Sequence, residues 1–575
     1  MKTVFSYAKP YKFLIAIALS LMLLELTVEL LQPLVIAKII DDGIMAGDRD
    51  QIIEYGILLM GLSAIAFFSG VVNSYFASHV SQSFSFDLRK AVYGRIQSFS
   101  LATFNRFPAS GLITRLTSDV NLVQQVLFMS LRIMLRAPLL VIGSIVMAFV
   151  VNAQLAVYLV IVFPVLLVFL YIMVKKGVSH FSFVQQRLDQ LNRMVQENLQ
   201  AVRLIKAYLR GNHESNRFSG VADSLKIDTV KAFRVMEIIL PILLFGMNLS
   251  LLAVLWFGAF EIRQGSAEIG ELVAIVNYAM RMTGAFSMFS FIIMAFARAK
   301  SSSERIAEVL LAEDVREKDE NGEDNMLHRG AVEFDGVSFA YPGTDRFVLK
   351  NITFSLEANE KLAIMGATGS GKSTLLQLIP RFYDATDGMV KIHGSDVQKW
   401  KLRTLRKTIG IVPQQSMLFT GTISDNLSWG KEQSEQGELA DAAVKAQIHD
   451  TVMRFPDGYH TRVGQKGVNL SGGQKQRLSI ARALVRKPSV LILDDSTSAL
   501  DVKTEAALWE ELERENATML MVTQKIRTAM KADRILLLEE GEISAYGTHE
   551  QLLKASALYR QIVFSQQEQE VDEYV

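Results

Sequence analysis

Six apolar stretches occupy the first ~300 positions and constrain this chain more than any other feature. They cover residues 13–40, 52–80, 122–151, 155–174, 233–260 and 272–297. About 20 apolar residues in a helix cross the ~30 Å of hydrocarbon in a bilayer, and every stretch reaches that length. Inside hydrocarbon each backbone N–H and C=O must find its partner within its own segment, so these stretches have to be helices. Several are longer than a span needs, which predicts helices that continue into water as rods. The chain has 575 residues, too many for one core, and half of them are apolar. The apolar excess ends near residue 297, and the remainder has the mixed composition of an α/β domain. The expected organisation is a membrane domain over 1–311, a linker over 312–330, a second domain over 331–565 and an acidic tail over 566–575.

Lys and Arg in the connections set the orientation. The segment after the second stretch carries Arg89, Lys90, Arg95, Arg106 and Arg115; that after the fourth carries Lys175, Lys176, Arg187, Arg193, Arg203, Lys206, Arg210 and Arg217. The other three connections are short, around Asp41-Asp42-Gly43, Asn152-Ala153-Gln154 and Glu261-Ile262-Arg263. The long basic segments are therefore cytoplasmic, as are both termini and the second domain, in a multi-pass plasma-membrane protein. Both long segments read as helical extensions that turn at 102–108 and 210–215, where contacts with the second domain are expected. The basic, aromatic residues 1–12 read as an amphipathic elbow. A net charge of +1 gives no footprint for a nucleic-acid partner. With no Cys, disulfides and thiolate metal sites are excluded.

Polar groups inside the apolar stretches are costly and mark either function or pairing between helices. Glu25, Glu29 and Gln32 share one face of the first helix. Arg132, Arg136, Glu237, Asn248, Asn277 and Arg281 complete the set. One reading is a water-filled cavity for amphipathic or cationic compounds, with Glu25 and Glu29 its leading candidates; the other is pairing with neighbouring helices.

In the second domain, residues 331–339 alternate apolar and polar as an edge strand does. The strongest motif follows: Gly366-Ala367-Thr368-Gly369-Ser370-Gly371-Lys372-Ser373-Thr374. It satisfies the phosphate-loop pattern at each required position, with an apolar strand before it and a helical pattern after it. Backbone N–H groups and the helix N-terminus wrap phosphates, Lys372 bridges the outer ones, and the Ser373 hydroxyl ligates Mg²⁺. The apolar run Leu491-Ile492-Leu493 ends in Asp494, the acid that completes such a Mg²⁺ site.

With these residues in place the chain resembles the ABC transporter ATPase family. Leu470-Ser471-Gly472-Gly473-Gln474 matches the family's signature motif. Gln414 is similar to its Mg²⁺- and interface-sensing Gln, Tyr341 to the aromatic that stacks on adenine, and Ser498-Ala499-Leu500-Asp501 to the loop that crosses to a partner subunit. Six spans with two long cytoplasmic extensions resemble the exporter branch. The resemblance implies an α-helical six-span membrane domain joined to an α/β P-loop ATPase domain of ABC type with a helical signature subdomain. It also implies ATP and Mg²⁺ as cofactors, and two ATPase domains packed head to tail, each ATP lying between one phosphate loop and the other chain's signature.

Against that pattern the chain departs at two chemical positions. Asp495 stands where the family carries Glu as general base, and Gln524 where it carries His. An Asp carboxylate falls one carbon–carbon bond short of a Glu, and a misplacement of ~1 Å costs about 10²-fold in rate. Gln465-Lys466-Gly467 also departs from the acidic-basic-Gly run usual before the signature. The pattern resembles the degenerate-site subunit of heterodimeric bacterial multidrug exporters. Expected is a half-transporter whose own site binds ATP and cleaves it poorly, whose signature completes a non-identical partner's competent site, and which moves hydrophobic or amphipathic, drug-like compounds out of the cell, with membrane lipid around it. Alternatives are a lipid or lipid-linked flippase, and an ATP-gated regulatory membrane protein with little turnover.

Overall fold

A computed structural model of the chain describes residues 1–312 and 331–572, so the expected linker from Glu313 on lies outside the described residues. Two compact units result. One comprises Met1–Gln97 and Phe107–Ala312; the other comprises the described residues after Ala312 together with Ser98–Arg106. The tip of the first long basic segment thus packs with the second domain's residues, as the break at 102–108 predicts.

Among the described residues of the first unit, six helical segments are long and apolar enough to cross a membrane: Lys2–Met45, Arg49–Ser98, Ala109–Val151, Ala153–Gln200, Gly211–Gln264 and Ile269–Leu310. Each contains one of the six expected stretches. The helix Arg49–Ser98 has 50 residues, and at a rise of 1.5 Å per residue its length is ~75 Å, more than twice the hydrocarbon thickness. Local chemistry sets the ends. The Asn152 side chain accepts from the Gln154 and Leu155 amides and caps the helix that follows. Gly265 at φ +73° ends another, and a capping box of Glu268 and Glu271 opens Ile269–Leu310. The elbow is a short helix, Lys2–Phe5, and a 3₁₀ turn, Ser6–Tyr11. Val4 is fully buried, Phe5 stacks on Phe84 at 6.2 Å, and the Tyr11 hydroxyl donates to Asp87 at 2.7 Å.

The second unit holds two sheets. The six-stranded one runs Glu542–Gly547, Arg534–Glu539, Lys361–Met365, Thr518–Val522, Val490–Asp494, Ile409–Val412. Its neighbours are parallel except the first pair. Such strands are apolar throughout because both faces are covered. Ala363, Met365, Leu491, Leu493, Met519 and Met521 face one core; Leu362, Ile364, Val490, Ile492, Leu520 and Val522 face the other. The first core continues into helices Gln436–Lys445 and Gly472–Val485, the second of which begins at the signature. The second core lies against a four-stranded antiparallel sheet ordered Phe347–Leu356, Val332–Ala340, Asp387–Ile392, Ser395–Asp396. Here the structure corrects the edge-strand expectation. Val332–Ala340 is an interior strand, paired on both sides. Its alternation records one buried face, carrying Val332, Phe334, Val337 and Phe339, and not a free edge.

Candidate functional site

The loop after Lys361–Met365 is shaped by its glycines. Gly366, Gly369 and Gly371 have φ of +148°, +86° and +102°, which side chains with a Cβ rarely adopt. At Gly366 a Cβ would also stand 2.1 Å from the Leu538 carbonyl oxygen, so the turn admits Gly alone. The loop opens the helix Lys372–Leu378. Lys372 Nζ curls over the loop and donates to the Gly366 and Ala367 carbonyls at 2.9 and 2.7 Å. Burial holds the Lys372 ammonium below its ordinary pKa, opposed by the charges of Asp494 and Asp495.

Asp494 ends its strand and accepts from Ser373 Oγ at 3.1 Å. In a continuing strand the next side chain would point to the opposite face. Asp495 instead turns into the left-handed region at φ +46°, and both acids line one cavity of about 220 Å³. Its lining also holds Thr368, Gly369, Gly371, Lys372, Ser373, Thr374, Gln414 and Gln524. Burial raises both carboxyl pKa values above the ordinary range. For Asp494 the Ser373 hydroxyl works against that rise; for Asp495 the Gln414 amide and the Lys525 charge do. Ser373, Gln414 and Asp494 offer the hard oxygen donors that suit Mg²⁺ beside nucleotide phosphates. The cavity therefore joins residues of the phosphate-loop pattern, oxygen donors that suit a cation, and Asp495 and Gln524.

Tyr341 is not in that lining. It stands beside it, its hydroxyl 2.9 Å from Thr374 Oγ1 and its ring edge-on to Tyr383 at 5.3 Å. The signature is not in the lining either. Ser471 caps the helix Gly472–Val485 in a capping box with Gln474, and Ser471 and Gly472 are exposed. Farther along the same helix, buried Gln476 donates to Ser498 Oγ at 3.3 Å and accepts from the Ala499 amide at 3.0 Å. Ser498 Oγ in turn donates to the Asp495 carbonyl at 3.0 Å, so the crossing loop ties the signature helix to the cavity's acids.

Behind the cavity lie residues that sequence reasoning passed over. Glu505 is buried and accepts from Lys525 Nζ at 2.6 Å, Thr497 Oγ1 at 2.8 Å and Thr528 Oγ1 at 3.1 Å. Gln566 donates from Nε2 to the Gln524 carbonyl at 2.7 Å and accepts from the Ile526 amide at 2.9 Å. Gln566 stands where the acidic tail was expected to begin, yet it belongs to a helix, Ala557–Asp572. The last three residues of that tail lie outside the described residues.

In the membrane unit most of the polar residues singled out from the sequence find partners. Arg136 donates to Glu25 at 2.6 Å and to Glu29 at 2.7 Å, while Arg281 lies 3.2 Å from Glu29 and donates to Gln32 at 3.0 Å. Arg132 donates to Ser74 at 2.6 Å. Asn277 and Asn248 bond carbonyls of their own helices, at Val273 and Leu244. Pairing and a cavity are not exclusive here. Glu29, Arg136 and Arg281 line a space of about 350 Å³ with Ile133, Leu140, Ala285 and Met288.

Comparison with known proteins agrees with this division. A family profile described as the ABC transporter transmembrane region matches residues 14–286, and one described as ABC transporter matches 349–498. The chain is 52% identical over 568 residues to an uncharacterized ABC transporter ATP-binding protein, YfiB, of Bacillus subtilis, covering 98% of both chains. It is 30% identical to the ATP-dependent lipid A-core flippase of Syntrophus aciditrophicus, covering 97% of this chain and 93% of that one. A solved structure of a bacterial Atm1-family ABC exporter with ATP bound superposes with a TM-score of 0.81 at 24% identity, covering 96% of this chain and 98% of that one.

Proposed function

Since the chain belongs to the ABC transporters that fuse a membrane region and an ATPase region in one polypeptide, we propose that it is one half of a heterodimeric exporter. Its own site binds Mg²⁺–ATP and cleaves it poorly, and its signature completes a competent site on a non-identical partner. One observation carries this reading: Asp495 and Gln524 meet in the same cavity as the unaltered Lys372, Ser373 and Asp494. Binding and cation ligation use the unaltered set. Water activation needs a base at the reach of Glu, and Gln at 524 accepts no proton. The signature, unaltered and with Ser471 and Gly472 exposed, is not part of this cavity's lining, as suits a motif serving another chain's nucleotide.

The Lys and Arg distribution supports a plasma-membrane location with the ATPase unit in the cytoplasm. The Glu29–Arg136–Arg281 cavity, lined by charged and apolar side chains together, supports an amphipathic cargo. A lipid cargo is the second reading, favoured by the relative named as a lipid A-core flippase and by the two guanidiniums on the cavity wall.

Steady-state ATPase of the purified chain, alone and with a candidate partner half-transporter that carries Glu and His at the two altered positions, tests the proposal. The expected result is weak turnover alone and strong turnover in the pair. Brisk hydrolysis by a complex of this chain with itself would overturn it.

A further inference from the structure

The structure assigns a positioning role to Gln566: we infer that it sets the preference of this site for ATP over ADP by holding the loop that presents Gln524, an inference that rests on the nucleotide reading above. Gln524 is exposed, lines the cavity, and its carboxamide has no hydrogen-bond partner among the described residues. With no side-chain partner to hold it, the carboxamide's reach is bounded by where its backbone is anchored.

The backbone is pinned from three sides. The Thr523 amide donates to the Ile364 carbonyl at 3.2 Å, joining the loop to the phosphate-loop strand. The Lys525 amide donates to Thr523 Oγ1 at 3.1 Å. Gln566 takes the Gln524 carbonyl and the Ile526 amide, at 2.7 and 2.9 Å. That task needs a side chain that donates and accepts at once at this length. Glu has no hydrogen to give, and Asn is one methylene short. Gln566 is itself firmly seated. One turn away Val563 is buried in the first core, and fully buried Tyr559 shares a hydrogen bond of 2.7 Å with His549. ATP and ADP differ only in the terminal phosphate, and Gln524 stands among Lys372, Ser373 and Asp494, the groups that meet that end of the nucleotide. A loosened loop thus weakens the triphosphate and spares the diphosphate.

The test uses the full-length chain in nanodiscs and titration calorimetry with the imido analogue of ATP and with ADP, both with Mg²⁺. Gln566→Ala is expected to weaken the analogue about fivefold, the scale of one or two neutral hydrogen bonds, and ADP by less than about twofold. Gln524→Ala gives the same pattern, and the double variant is no worse than Gln524→Ala, because Gln566 acts through Gln524. Gln566→Met, which keeps size and helix propensity, replaces the Ala variant if the latter unfolds. Equal weakening of both nucleotides, an additive double variant, or no change would overturn the inference. A wild-type chain that binds neither nucleotide would instead overturn the nucleotide reading itself, and this inference with it.

Discussion

Asn105 donates a hydrogen bond from Nδ2 to the Tyr383 hydroxyl at 2.8 Å. Asn105 lies on the loop between the second and third spans, yet packs as part of the ATPase unit. The Tyr383 ring meets Tyr341 edge-on, at 5.3 Å and 89°, and the Tyr341 hydroxyl reaches Thr374 on the helix opened by the phosphate loop. A continuous set of contacts therefore joins that loop to the nucleotide cavity. Tyr383→Phe removes only the hydroxyl, so ATP affinity should stay within about twofold. Tyr383→Ala removes the edge-on pair, worth ~0.5–1.5 kcal/mol, and should weaken ATP by about 2- to 10-fold. Calorimetry distinguishes the two, and equal loss in both variants would contradict the packing argument.

Restoring the family's residues should restore cleavage. Asp495→Glu with Gln524→His is expected to raise single-turnover hydrolysis at this chain's site by about 10²-fold, measured beside a partner whose own base has been removed. The Glu has a cost. Residue 495 sits at φ +46°, which Asp tolerates better than Glu, so the variant should lose up to ~1 kcal/mol of stability.

Two glycines separate folding from function. Gly366→Ala would place a Cβ 2.1 Å from the Leu538 carbonyl oxygen at a φ of +148°. It should cost at least ~2 kcal/mol in thermal unfolding and abolish nucleotide binding. At Gly472 a Cβ meets only Ala499 Cβ, at 3.6 Å. Gly472→Ala should fold as well as wild type and bind nucleotide normally, while turnover of the complex with its partner drops by about 10-fold or more.

Arg136 neutralises two carboxylates within the spans, at 2.6 and 2.7 Å. Arg136→Gln leaves Glu25 without its cation, and should lower stability in detergent by ~3 kcal/mol. Adding Glu25→Gln should recover part of that loss, since the penalty lies in the stranded charge. A double variant less stable than Arg136→Gln would show that the ion pair is not the cause.

The raised pKa values of Asp494 and Asp495 set a sign for pH. A carboxyl whose folded pKa exceeds its unfolded value binds its proton more tightly when folded, so the ligand-free protein loses stability as pH rises through that value. Mg²⁺ needs the carboxylate, so the stabilisation contributed by Mg²⁺–ADP should fade on acidification, beginning above the ordinary carboxyl pKa of about 4. Thermal shift across pH, with and without Mg²⁺–ADP, measures both trends. An increment that grows on acidification would refute the assignment of Asp494.

What sequence makes legible is chemistry that local spacing encodes. The six spans are legible because hydrocarbon demands unbroken apolar runs, and the phosphate loop because Gly366, Gly369 and Gly371 each answer a backbone need. Glu25 and Glu29 could be placed on one helix face, but their common partner Arg136 stands more than a hundred positions away, and only the packing of helices brings it in. Gln566 was hidden for the same reason. Its role depends on where the last helix docks, and its neighbours in sequence are polar and acidic. The edge reading of Val332–Ala340 failed because alternation reports which face is covered, and says nothing of whether a neighbour lies alongside.

The strands Val490–Asp494 and Thr518–Val522 send alternate residues into two cores and stop before Asp495 and Gln524. Asp495 and Gln524 belong to neither core. Foldability therefore bears on them only through the left-handed backbone at residue 495, which favours Asp over Glu by at most ~1 kcal/mol. Chemistry at these two positions can thus change by single codons while both cores stay as they are.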